Sequence, residues 1–543
     1  MGAHKNGDVI EKRTVLYNEA VTLTGYGVYN LYVLLAAGGC LMCVIVETMS
    51  MSFVTPAAQC DLNLSLAQKG ILASIAFIGV FVSSHMWGFL ADTRGRKNVL
   101  VFCLISSSVL SLICSIVPWA WLFILLRFLN GALIGGSSSI IYAFAGEFHN
   151  DRFRPMIISW ISSFVALGQT YIPGLAWAIL PATWSYELPA IGITFRPWRL
   201  LVIVYAVPSL IVAALLAALP ESPKFLLTEG KHDETLRILT KMYRKNTGKR
   251  GDLYPVKKII LDEIPADKDE SKSNVFVSMW RQTVPLFHRE HVFKTIFVSY
   301  LQFGVFLSAS ALQLWFPEIL TSLNRYSQEV SNSDVQFCKS VNYKPVDARS
   351  VANLFSFFSY LRADNVTEAA ACNDEVTSDV YPVILGVGVA IGVAYIIIGA
   401  IINKIGKKQL LAGVAFVTAA CGLTAQYIYG YVTILVLVGI FLLISSCIGI
   451  VNAFVVDLYP TNIRAMALAI SLMFGRIGAA VGSNLVGIMF YNYCDYLFIM
   501  FGINHICECI FAQHMQWLLF FFCFSVNFVG HTVTEATESK YKH

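Results

Sequence analysis

Three ionisable side chains sit inside long apolar runs of this sequence: Glu47, Arg127 and Arg476. Ionisable groups at mid-depth in a low-dielectric medium are costly and by default mark function. Glu47 could carry a proton or meet a cationic solute; the alternative is a carboxyl protonated throughout and bonded to a neighbouring helix. Arg127 could tie helices together through backbone carbonyls or take part in coupling. Arg476 lies among Gly475, Gly478 and Gly482, which permit close helix approach, and could contact an anion or make a structural pair. His85 could sense pH or simply pack. Uncharged polar groups at similar depth, Gln169, Tyr171, Gln302, Gln313 and Asn452, could line a cavity, with Trp315 beside Pro317 as a stacking surface. Apolar walls with a few hydrogen-bonding groups suit an organic solute better than a bare ion.

The elements that position these groups follow from composition. The chain has 543 residues, 56% hydrophobic and 13% charged, with mean hydropathy +0.64. Soluble domains carry about a quarter charged residues, so lipid is the solvent here. A bilayer-spanning helix needs roughly 20 apolar residues. Such runs lie at 31–55, 69–91, 98–118, 120–146, 156–181, 198–219, 292–320, 381–402, 409–429, 431–456 and 465–491. A twelfth starts near 496 but is broken by Glu508 and two histidines, with a second apolar run at about 515–530, which leaves open one broken span, an interfacial segment or an altered C-terminal exon. The first 30 residues are polar and mixed in charge, unlike a cleavable signal, so the first span should stay as an anchor. Net charge is +5 with no aromatic-interleaved basic run, which argues against nucleic acid. No nucleotide loop, metal cluster or nucleophile constellation is visible, so neither enzyme activity nor a cofactor is expected.

Lys and Arg resist translocation and set orientation. Arg94, Arg96, Lys97, Arg152, Arg154, Lys404, Lys407, Lys408 and Arg464 fall on one side if the N-terminus is cytoplasmic, as does the basic stretch 220–291. The opposite side holds the sequons at Asn63 and Asn365, and the long loop 321–380. Cys338 and Cys372 share that loop and could form a disulfide or remain two thiols.

The charged loops repeat. Gly88, Asp92, Gly95, Arg96 and Lys97 recur 311 residues later as Gly399, Asn403, Gly406, Lys407 and Lys408. Glu147 and Arg154 recur 310 residues later as Asp457 and Arg464. Two loops at one period indicate a duplicated six-helix unit. Asp92 could accept hydrogen bonds from a neighbouring helix N-terminus and pair with an Arg, while Arg94, Arg96 and Lys97 reach Glu147. Such a cluster would latch the cytoplasmic face shut and break when the halves rock; otherwise the bases only set topology.

Residues 88–97, GFLADTRGRK, resemble the signature loop of the major facilitator superfamily, and Arg127–Gly131 its second motif. PESPKFLLTEGKHDETLRIL (220–239), WFPEIL (315–320) and GEFHNDRFRP are similar to the synaptic vesicle glycoprotein 2 branch, a relative of sugar and organic-ion porters. That resemblance implies an all-α membrane protein of two six-helix bundles. The expected divisions are a tail at 1–30, bundles at 31–219 and 292–530, a linker with amphipathic helices at 220–291, and a tail at 531–543. The resembled family generally has an Asp three residues before Glu47; Val44 stands here, which puts paired-carboxylate proton coupling in doubt. The leading expectation is a monomeric plasma- or vesicle-membrane transporter of a small organic solute, with H+ as a possible co-substrate. The competing one is a vesicle protein that binds partners or regulates trafficking on a transporter scaffold.

Overall fold

In lipid a backbone must satisfy its own hydrogen bonds, so each long apolar run becomes a helix. A computed structural model describes residues 13–189, 192–261, 283–288, 290–329, 334–342, 378–459 and 461–513. Among them are twelve helices long and apolar enough to cross a membrane. They are α1 (Val28–Ala58), α2 (Leu66–Arg94), α3 (Arg96–Cys114), α4 (Ala120–Gly146), α5 (Arg154–Ile179) and α6 (Pro197–Ala217). The second set is α7 (Val292–Glu329), α8 (Val380–Ile405), α9 (Lys407–Ala425), α10 (Tyr431–Val455), α11 (Thr461–Asn492) and α12 (Cys494–Gln513).

Two sequence expectations are corrected. Helix α7 runs to Glu329, well past the expected end at 320, because Leu323 and Tyr326 are buried and nothing in TSLNRYSQE breaks a helix. From Cys494 to Gln513 the run after Asn492 is one helix that carries His505 and Glu508 without a break; His514 and the apolar run at 515–530 lie outside the described residues. The helix turns its polar residues inward: His505 and Glu508 are both fully buried.

The repeat is visible in the backbone. The α2–α3 junction turns on Gly95 at φ 94°, ψ 144°, and the α8–α9 junction on Gly406 at φ 94°, ψ 143°. Each reverses the chain in one residue, a conformation side-chain-bearing residues rarely adopt. Helices α3 and α9 then have the same length, 19 residues.

Small residues set the tightest helix seams, since lipid supplies no hydrophobic drive between helices. On α11, Gly478 lies against the Phe303 carbonyl and Gly482 against the Leu307 carbonyl of α7. Between α2 and α4, Gly79 lies against the Phe128 carbonyl and the Ala132 amide, and Gly131 against the Ala76 backbone. A Cβ at Gly478 would overlap the Phe303 carbonyl oxygen, which cannot yield. Gly478→Val is therefore expected to destabilise by about 1–3 kcal/mol or more. Thermal unfolding in detergent checks this, and an unchanged midpoint would count against the seam.

On the Arg/Lys-rich face the linker folds onto the first bundle. The amphipathic helix His232–Thr247 buries Ile238, Leu239, Met242 and Tyr243 against protein. Strand Arg13–Leu16 pairs in parallel with Val256–Ile260. Asn246 accepts from the Tyr29 amide at 3.0 Å and donates to Asn30 at 2.7 Å, tying the linker to the start of α1.

Candidate functional site

The charged cluster at the basic face is built differently from the expectation. Arg96 pairs with Glu147 at the end of α4, and with Asp92 at 3.2 Å. Asp92 is 66% exposed and meets only that neighbour across the turn. The carboxylate at the α3 N-terminus is Glu221, which accepts from the Lys97 amide and the Ser222 amide, each at 2.9 Å. Ser222 in turn donates to Glu147 and caps the helix Pro223–Thr228. An acid there complements the helix dipole and the free amides. Glu221 escaped the sequence reading; its signal was the PESPK run at the exit of α6.

Every member of this cluster belongs to the first bundle or its linker. It braces α3, α4 and the linker rather than clasping two halves. Arg154 does not join it: its Nε donates to the Gly146 carbonyl at 3.1 Å and it pairs with Asp151 at 2.7 Å. A Cβ at Gly88 would meet open space. In the second half Lys407 donates to the Ala453 carbonyl at 3.1 Å. The side chains of His85, Asn403, Asp457 and Arg464 lie outside the described set.

The ion pair that crosses the halves lies on the opposite face. Lys69 of α2 meets Glu318 of α7 at 2.8 Å, and Tyr491 of α11 donates to the same oxygen. Around it Phe53 of α1 stacks on Tyr381 of α8, 5.8 Å between centroids. Phe77 of α2 is buried within the second half's core. Deeper in, Gln169 of α5 donates to Gln313 of α7 at 3.3 Å. The halves are thus closed on the face opposite the basic one.

Glu47 and Arg127 are paired inside the first bundle at 3.3 Å, each about 1% exposed. Ser111 donates to Glu47 at 2.7 Å, Asn130 donates to Ser111 at 2.9 Å, and Arg127 also donates to Ser50 at 3.1 Å and to the Glu47 carbonyl. This network joins α1, α3 and α4 and sets the two charges against each other, as a desolvated pair requires, while Glu47 Oε1 and Arg127 Nε keep no hydrogen bond among the described residues.

Arg476 is different. Its guanidinium lies 5.6 Å over the Phe306 ring of α7 and interacts with Tyr142 of α4 across the halves. Among the described residues it pairs with no carboxylate. Beside it a Cβ at Gly475 would stand 3.0 Å from Gln302 Cγ. Gln302 is fully buried, and both of its amide atoms lack hydrogen-bond partners. Ser299 and Ser471, one turn towards the basic face, also have unpartnered hydroxyls, as has the Asn452 carbonyl of α10. Buried polar groups are nearly always satisfied, so these second-half side chains have donors and acceptors left over among the described residues.

Two expected lining residues turn away. Trp315 donates to the Ser483 carbonyl at 2.7 Å and packs on Gly487, locked in the α7–α11 seam rather than free to stack. Tyr171 donates to the Val204 carbonyl at 3.4 Å, inside the first bundle. Cys338 bonds Cys494, not Cys372. The short helix Phe337–Asn342 sets Phe337 against Phe490 and Phe498, which brings Cys338 over the α11–α12 turn. Cys372 and Asn365 lie outside the described residues, whereas Asn63 is exposed at φ 47° just before α2.

Twelve helices in two bundles that repeat one backbone turn are the layout of one large transporter architecture. The chain belongs to the Major Facilitator Superfamily, which it matches over residues 36–340, more than half its length. Rat (Rattus norvegicus) synaptic vesicle glycoprotein 2C is 31% identical over 349 residues, covering 60% of this chain and 47% of that protein. Human (Homo sapiens) synaptic vesicle glycoprotein 2A is 29% identical over 327 residues, covering 56% and 44%. The chain spans about half the length of the curated relatives it matches. The E. coli xylose transporter XylE, in a partially occluded inward-open conformation, superposes with TM-score 0.61 at 15% identity, covering 89% of this chain and 97% of that one. A D-xylose-proton symporter gives 0.59 at 15% identity, with coverage of 89% and 97%. At that identity the likeness speaks for the fold alone.

Proposed function

We propose that this chain is a secondary transporter that moves a small organic solute bearing a negatively charged group by alternating access. The observation that carries the reading is Arg476: a cation between the two bundles, with no counter-charge among the described residues. A guanidinium suits a carboxylate, which it can hold with two parallel hydrogen bonds. The unpartnered amide of Gln302 and carbonyl of Asn452 supply donors and acceptors for the rest of the solute.

In this reading the basic face is cytoplasmic and the conformation is inward-facing. The closed Lys69–Glu318–Tyr491 clamp on the face opposite the bases supports it. The clamp then holds the outer gate shut, and the Arg96–Glu147–Glu221 cluster stiffens the first bundle as it rocks. Lys69→Glu is expected to open the outer gate, and adding Glu318→Lys to close it again. Partly exposed pairs contribute up to about 1 kcal/mol, roughly a fivefold shift between states. Thiol labelling of a cysteine placed at Asn484 checks this; unchanged labelling in both variants would remove the clamp's role.

Uptake by proteoliposomes of succinate, benzoate, neutral sugars and organic cations, with and without a proton gradient, tests the function. Carboxylate uptake is the expected result. No uptake of any solute, with partner binding intact, would favour a trafficking or partner-binding role on a transporter scaffold.

A further inference from the structure

Glu508, on α12, is a second fully buried carboxyl, and its surroundings are unlike those of Glu47. It presses on α7, where a Cβ at Gly304 would collide with its Oε1. Asn504 donates to Oε1 at 2.8 Å, and Oε2 has no hydrogen-bond partner. The titratable groups around it are Tyr300 of α7, Cys447 of α10, and His505 and Cys507 of its own helix. His505 is already engaged, 2.7 Å from Ser308 of α7 and 3.1 Å from Thr418 of α9, and stacked on Phe441. No Lys or Arg among the described residues pairs with Glu508. Each carboxyl keeps one oxygen without a hydrogen bond among the described residues, but Glu47 has the Arg127 cation beside it and Glu508 has only an amide.

An ionised carboxylate so placed would be costly, and a carboxyl carrying a proton would not. Helix α7 links this group to everything that moves. Gly304 touches Glu508, and Gln302, on the other side of the helix, touches the Arg476 turn. Further along, Gln313 and Glu318 make the contacts that cross the halves. A shift of α7 against α12 would change what Glu508 faces.

We propose that Glu508 is a proton-binding site, which takes up a proton from water on one side of the membrane and returns it to water on the other as α7 moves. Only an O–H bond forms and breaks. The consequence for the solute rests on the transport reading above: a carboxylate on Arg476 and a proton on Glu508 cancel both unpaired charges, so the loaded carrier crosses neutral while the half-loaded one is held back. Transport is then solute–proton symport.

Infrared spectroscopy of the reconstituted protein tests the site without any solute. The carbonyl stretch of a protonated carboxyl is followed from about pH 5 to pH 9, across the range where a buried acid titrates. The expected result is a band that fades as pH rises and is missing in Glu508→Gln, whose amide keeps the shape of the neutral acid. Glu508→Asp, which keeps the carboxyl, should move the band rather than abolish it, and serves if the Gln variant fails to fold. A Glu508 band unchanged at every pH, or no such band at any pH, overturns the proposal. A titrating band in a protein that takes up neither succinate nor benzoate would leave the site standing and refute the transport reading. Succinate uptake without a titrating band would do the reverse.

Discussion

Arg476→Ala is expected to lower affinity for a carboxylate solute about 10- to 100-fold while leaving the protein folded. A charged hydrogen-bonded contact is worth about 1.5–3 kcal/mol, and each 1.4 kcal/mol is tenfold. The guanidinium makes no ion pair with the described residues, so its removal leaves no partner stranded. Arg476→Lys should fall between, because an ammonium keeps the charge but loses the planar fork. The measurement is concentration-dependent uptake of succinate and benzoate, with thermal unfolding as the control. If alanine lowers the unfolding midpoint steeply and leaves affinity unchanged, Arg476 is a structural residue and the anionic solute has no support.

Arg127→Ala should act in the opposite manner, on stability first. It leaves the Glu47 carboxylate buried beside Ser111 with its cation gone, a change that typically costs about 3–5 kcal/mol. Removing both charges with apolar side chains of similar volume, Glu47→Leu with Arg127→Met, should recover most of that loss. The four-variant thermal cycle measures the coupling directly. If the double variant is as unstable as the single one, the network does more than neutralise its own charges. If it is stable yet transports nothing, Glu47 has a role in transport that its enclosure among α1, α3 and α4 does not explain.

The positions of the spans were legible because a membrane helix announces itself by length and hydropathy alone. The duplicated loop was legible for a related reason: Gly95 and Gly406 must supply one unusual backbone turn, and few residues can. Site geometry was less legible, since depth along a helix is readable but azimuth is not. Trp315, Tyr171 and Gln302 all lie in apolar runs, yet only Gln302 keeps unpartnered polar atoms. The polar run of α12 read as damage to a span because what it meets sits far off in sequence: Asn504 donates to the Gly304 carbonyl of α7, His505 meets Thr418 of α9, and Glu508 packs on Gly304.

By itself, then, the amino-acid order determined that the chain lives in lipid, how many times it crosses, which face carries the bases, and that one half echoes the other. Each is a one-dimensional property of hydropathy, charge and period. Only the folded arrangement decided which charges are neutralised. Glu47 found Arg127 and Arg96 found Glu147, Glu221 took the helix end expected of Asp92, and Lys69 reached Glu318 across the halves. Among the described residues Arg476 was left without a carboxylate and Glu508 without a cation. The reason is range: a charge in low dielectric is governed by neighbours within about 4–6 Å, and packing, not sequence distance, selects them.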